Sequence, residues 1–131
     1  MREIKFRAWD KAFGKMFEVA ELTVREDGLW ARTPFGYLPN QRETTGFKVG
    51  VSCELMQYTG LKDKNGKEIY EGDIFPHRGM NLVVRYELGA VVGHWFGSNE
   101  YIFFDHLAND ENDIEVIGNV WENPELIKEV K

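Results

Sequence analysis

The stretch Phe47-Lys48-Val49-Gly50-Val51-Ser52-Cys53-Glu54-Leu55-Met56-Gln57-Tyr58 governs how the rest of the chain is read. Apolar side chains stand at Phe47, Val49, Val51, Cys53 and Leu55, every second position, which is the period of a strand with one buried face. The spacing therefore predicts one long strand over 47–58, with Cys53 turned inward beside Val49, Val51 and Leu55.

The same period recurs on both sides of that stretch. Upstream, Ile4-Lys5-Phe6-Arg7-Ala8 alternates, and Asp10 to Gly14 offers turn residues before Met16 to Val19, so the opening reads as a hairpin. Leu22-Thr23-Val24 and Leu29-Trp30-Ala31 flank Asp27-Gly28, a pair that tolerates positive φ at both central turn positions and predicts a second hairpin. Pro34 to Asn40, with Gly36 between two prolines, reads as an irregular loop. Downstream, Gly60 and Asn65-Gly66 predict a reversal into Glu68-Ile69-Tyr70. Leu82 to Tyr86, Ala90 to Phe96, Tyr101 to Phe104 and Ile114 to Trp121 follow as short runs rich in β-branched and aromatic residues. Helix is expected only over Pro124 to Val130, where proline suits the first turn. The fold class is therefore mainly β, a small barrel-like domain of short antiparallel strands with little helix.

Bulk properties narrow the setting. At 131 residues one core is the default, spanning 1–131, with lobes at about 1–58 and about 68–124 as the alternative division. Apolar residues make up 43% and charged residues 29%, which excludes collagen-like and disordered classes, and apolar runs such as Gly89 to Val92 are too short for a membrane helix. The alternating N-terminus is unlike a secretory signal, and the single Cys53 cannot form an internal disulfide, so a reducing cytoplasm is expected. Net charge is -6 and unevenly spread: residues 1–50 hold nine Lys/Arg against seven Asp/Glu, whereas residues 91–131 hold two against nine. That acidity argues against phosphate-backbone contacts by the C-terminal third.

Three stretches carry a family resemblance. They are Met1 to Asp10 (MREIKFRAWD), Leu55 to Ile74 (LMQYTGLKDKNGKEIYEGDI) and Ile114 to Leu126 (IEVIGNVWENPEL). Together they resemble the phage YopX family. The resemblance implies a bacteriophage or prophage protein in a bacterial host cell, mainly β, with an SH3-like part after Glu71-Gly72-Asp73 and no nameable enzyme activity. Phe75-Pro76-His77 departs from the family pattern, and Pro76 is expected to shorten its strand or place it at an edge.

Candidate chemistry is sparse. His77, His94, His106 and Cys53 lack the short paired spacing of zinc sites, and an inward Cys53 makes a poor nucleophile, so no metal, cofactor or catalytic residue is assigned. Ser52 lacks the glycines of a nucleophile elbow. Glu68, Glu71 and Asp73, and the later group Asp110, Glu111, Asp113 and Glu115, are better explained by turns and solvation. Lys5, Arg7, Lys11 and Lys15 beside Trp9 and Phe13 mix charge with stacking surfaces, which makes weak nucleic-acid binding the alternative function. The leading expectation is a non-catalytic module that contacts proteins and assembles with itself, because exposed apolar patches and open strand edges commonly mark interfaces. A host or phage protein is a further partner in that reading.

Overall fold

The computed structural model describes residues 4–34, 37, 46–104 and 114–127. Strands dominate the described residues, and the helical element among them is the 3-10 turn Pro124–Ile127. The chain forms two compact units, one of Ile4–Gln57 and one built from Tyr58 onward.

In the first unit, β1 (Phe6–Asp10) and β2 (Lys15–Glu18) form the opening hairpin. The next hairpin joins β3 (Glu21–Arg25) to β4 (Gly28–Arg32), which also pairs with β5 (Gly46–Lys48). Its turn differs from the expected one. Arg25 pairs with Gly28, so the loop residues are Glu26 and Asp27, and Gly28 is already strand at φ 136°. Asp27 closes the turn with its side chain, accepting the Trp30 indole N–H at 3.0 Å.

The long strand expected over 47–58 is broken in the middle. Gly50 turns the chain at φ 86°, Val51 and Ser52 donate backbone bonds to the Lys48 carbonyl, and Ser52 Oγ accepts the Lys48 N–H at 2.9 Å. Val51 consequently points to solvent, 64% exposed, while Cys53 starts β6 (Cys53–Lys62) fully buried. Alternation in sequence cannot distinguish a continuous strand from two strands joined by a turn of matching parity. The first half of β6 pairs with β1 through Phe6 to Asp10. Ala8, Phe17, Ala31, Tyr37 and Cys53 form this unit's buried cluster, with the Phe17 and Tyr37 rings edge-to-face at 5.2 Å.

In the second unit the end of β6 pairs with β7 (Glu68–Tyr70), with a register shift between Tyr58 and Lys62. Thr59 sits fully buried at that shift, where its hydroxyl donates to the Ile69 carbonyl at 2.7 Å and accepts the Leu61 N–H. A five-stranded antiparallel sheet follows in the order β11-β10-β9-β8-β12, made of β8 (Asp73–His77), β9 (Met80–Glu87), β10 (Ala90–Trp95), β11 (Tyr101–Phe103) and β12 (Gly118–Asn119). Its inner face carries Phe75, Leu82, Val84, Val91, Trp95 and Ile102, packed with Ile69, Phe104, Ile114 and Val116. Gly93 lies on that face because a Cβ there would come within 2.6 Å of the Phe75 ring. Two-residue turns Arg78-Gly79 and Leu88-Gly89 link β8 to β9 and β9 to β10, with positive φ throughout.

Pro76 is accommodated because β12 covers β8 only at Asp73 and Ile74. Beyond that point β8 has no partner on this side among the described residues, and the missing donor costs no ladder bond there. Ile114 to Trp121 is less regular than its composition suggests: only Gly118–Asn119 joins the sheet. Asn119 Oδ1 accepts the N–H groups of Trp121 and Glu122 and ends the strand, and the expected helix is the 3-10 turn Pro124–Ile127 within the described residues.

Candidate interaction surface

Strand register sorts the five-stranded sheet into two faces. Residues paired across antiparallel strands share a face, so Val83 with His94, Arg85 with Val92 and Glu87 with Ala90 all lie opposite the core. His94 with Tyr101, and Val92 with Phe103, extend that outer face onto β11. One end is closed: the 3-10 turn packs on β9, Asn81 Nδ2 donates to the Leu126 carbonyl at 2.8 Å, and Ile74 and Val83 are buried.

Beside it, from Val83 to Glu87, the same face holds a cleft of about 420 Å³. Arg85, Glu87 and His94 supply its floor, and Phe96, Ser98 and Asn99 line it from the turn between β10 and β11. His94 stacks on Tyr101 with ring planes 20° apart, and Tyr101 meets Phe103 edge-on at 5.4 Å. The Nδ1 atom of His94 lies 3.0 Å from the Trp95 carbonyl. A carbonyl only accepts, so Nδ1 carries the proton and Nε2 is the ring's acceptor when neutral. Phe96 remains 46% exposed. The Arg85 and Glu87 side chains make no hydrogen bond or ion pair among the described residues. The cleft was not legible in the sequence, because it depends on which residues of β9 and β10 face each other.

The N-terminal basic residues do not form a comparable surface. Arg7 and Trp9 share a face of β1, where their cross-strand neighbours include Glu18 and Glu54. Lys11 pairs with Glu54 at 2.7 Å. Lys15 donates to the Tyr37 carbonyl at 2.8 Å and sits over the Tyr37 ring. Lys5 and Arg7 each engage other groups. Phe13 is 65% exposed at the hairpin turn, and Trp9 packs toward Gly14. Among the described residues, acidic side chains thus interleave with these basic ones, and no continuous positive stripe follows the aromatic rings.

Among the described residues no three His, Cys, Asp or Glu side chains converge as a metal set, and His106, Asp110, Glu111 and Asp113 lie outside those residues. Cys53 is buried, and burial first, then the neighbouring Glu54 and Asp10 charges, push its thiol up to about 11. No helix among the described residues is long and apolar enough to cross a membrane.

The residues of the three signature stretches have structural work that sequence reading treated only as turn chemistry. Asp10 accepts the backbone N–H groups of Ala12 and Phe13 and the Tyr37 hydroxyl. Asp63 accepts those of Asn65, Lys67 and Val116, and Asp73 accepts that of Tyr70. Asn119 organises the closing turn. Each stretch therefore contributes a buried polar side chain that satisfies local backbone donors, which restricts substitution without any ligand.

No curated protein matches the chain. Among solved structures it resembles the crystal structure of protein EF1440 from Enterococcus faecalis, at 31% identity and a TM-score of 0.69, over 98% of this chain and 100% of that one. The description of the YopX protein family matches residues 5–128, nearly the whole length, with the second and third signature stretches complete and the first from Lys5 onward. On that match, the chain belongs to the YopX family.

Proposed function

We propose that this chain is a non-catalytic, phage- or prophage-encoded interaction module that assembles with itself in the cytoplasm of its bacterial host. Strand β11 carries this reading. It is the outer strand of the five-stranded sheet, paired only with β10 among the described residues. Its sequence is Tyr101-Ile102-Phe103, without the lysine, proline or inward charge that natural edge strands use to discourage pairing. Antiparallel addition of β11 from a second copy about a two-fold axis would extend the sheet and close the assembly, since the same surface serves both partners.

Solution mass by light scattering, at several protein concentrations and two salt levels, tests the reading. The expected result is a multiple of 15.2 kDa that rises with concentration and responds little to salt. Tyr101→Lys places a charge on the edge, opposite to the core side, and should return the mass to 15.2 kDa while leaving the fold intact by circular dichroism. A wild-type monomer at every concentration would remove self-association.

A further inference from the structure

We propose that the cleft on the outer face of β9 and β10 docks an extended peptide segment of a partner protein. The segment presents an aromatic or large aliphatic side chain, an acidic one two residues along, and a basic one two residues further. This site is separate from the β11 edge and does not require self-association.

The register supplies the argument. Val83 with His94, then Arg85, then Glu87 form three steps along one face of β9, each two residues apart. Two residues of strand span roughly 6.7 Å, and an extended peptide repeats its side chains at the same interval. A peptide lying along β9 therefore sets alternate side chains onto successive steps. The first step is ring-lined, with His94 and Phe96 beside Ser98 and Asn99; the second is cationic and the third anionic. Arg85 and Glu87 lie on the same face, yet neither side chain has a polar partner among the described residues.

Charge order excludes simpler occupants. A small anion at Arg85 would meet Glu87 roughly 7 Å away, and a small cation at Glu87 would meet Arg85. A segment carrying both signs in the right order satisfies both residues, and its apolar side chain covers Phe96. The volume of about 420 Å³ lies within the range of ligand clefts.

The test uses two dye-labelled peptides of identical composition, Gly-Phe-Ser-Glu-Ser-Lys-Gly and Gly-Phe-Ser-Lys-Ser-Glu-Gly, with the full chain at low ionic strength and fluorescence anisotropy as the readout. Running either peptide in the opposite direction does not exchange the acidic and basic steps relative to the aromatic one. The first peptide should bind about tenfold more tightly, the ratio expected when two exposed ion pairs are matched instead of opposed. The double variant Arg85→Glu, Glu87→Arg should invert that preference, and circular dichroism should show an unchanged fold because both residues face away from the core. Equal binding of the two peptides, binding of neither, or a preference that survives the reversal would overturn the proposal.

Discussion

Each unit buries an aspartate at a turn, and the two are satisfied by different kinds of donor. Asp10, in the first unit, holds the Ala12 and Phe13 N–H groups on one oxygen and the Tyr37 hydroxyl on the other, at 2.7 Å. Asp63, in the second, holds the Asn65 and Lys67 N–H groups on one oxygen and the Val116 N–H on the other, at 3.0 Å. The difference lies in the long-range bond. Asp10 reaches a side chain, so its distant partner can be removed by mutation. Asp63 reaches backbone 53 positions away, so only the carboxylate can be removed. Deleting it strands all three donors, two of them in the turn and one beside the buried Val116.

Asp63→Ala is accordingly expected to give the largest effect, about 3 kcal/mol of lost stability, since it strands the buried Val116 donor and removes two further bonds in the turn. Urea unfolding measures it. Asp63→Asn should cost less, because its single carbonyl oxygen can keep Asn65 and Lys67 while its NH₂ opposes Val116. Acid titration sharpens the point. Burial resists ionisation of Asp63, but the backbone N–H groups of Val116, Lys67 and Asn65 outweigh it, with help from the Lys67 charge, and hold the carboxyl below its usual range. A carboxyl with a lower pKa folded than unfolded contributes stability above the unfolded value, about 3.9, and loses it as pH falls through the folded one. Wild-type stability should therefore fall below about pH 4, and Asp63→Asn should flatten part of that slope.

Tyr37→Phe probes the first unit and should cost about 1 kcal/mol, because Asp10 keeps two backbone donors and the ring keeps its packing on Phe17. Burial first, and then the bond to Asp10, raise the Tyr37 pKa well above that of a free tyrosine. A raised folded pKa gives stability that is complete below the unfolded value of about 10 and lost as pH climbs through the folded one. The alkaline decline of the wild type should be shallower in Tyr37→Phe. An effect as large as that of Asp63→Ala would show that the kind of donor does not set the cost.

The two units also differ in how far the sequence disclosed them. The hairpin of β1 and β2, the mainly-β class and the three strands β9, β10 and β11 follow from period and turn residues alone. Boundaries failed where a local signal had two structural solutions. Phe47 to Leu55 keeps its alternation through the turn at Gly50, so parity hid the break. Asp27-Gly28 marked a real hairpin but not its centre, because Glu26 and Asp27 make the loop without positive φ, the Asp27 carboxylate closes it on Trp30, and the positive φ falls on Gly28 in the strand. Ile114 to Trp121 has strand composition, yet its N–H groups serve Asp63, Ile74 and Gly72 in turn. The cleft was out of reach for a different reason. Arg85, Glu87 and His94 are unremarkable in sequence and meet only through register, which is a tertiary property.

The smallest expected effect concerns turns with no side-chain acceptor to hold them. Leu88 adopts φ 52° in the Leu88-Gly89 turn, a left-handed conformation that costs an ordinary L residue about 1 kcal/mol and asparagine less. Its side chain is 88% exposed, so replacing it removes no packing. Leu88→Asn creates the Asn-Gly pair that this turn type favours and should raise stability by roughly 0.5 kcal/mol, read as a rise of about 2 °C in thermal melting. Glu26, in the turn of the first unit, has no positive φ to relieve, so Glu26→Asn should leave the melting temperature unchanged. Equal shifts at both positions would show that asparagine acts through turns in general. A shift confined to Leu88 would locate the strain in the left-handed backbone of the second unit, with the first unit's turn held by Asp27.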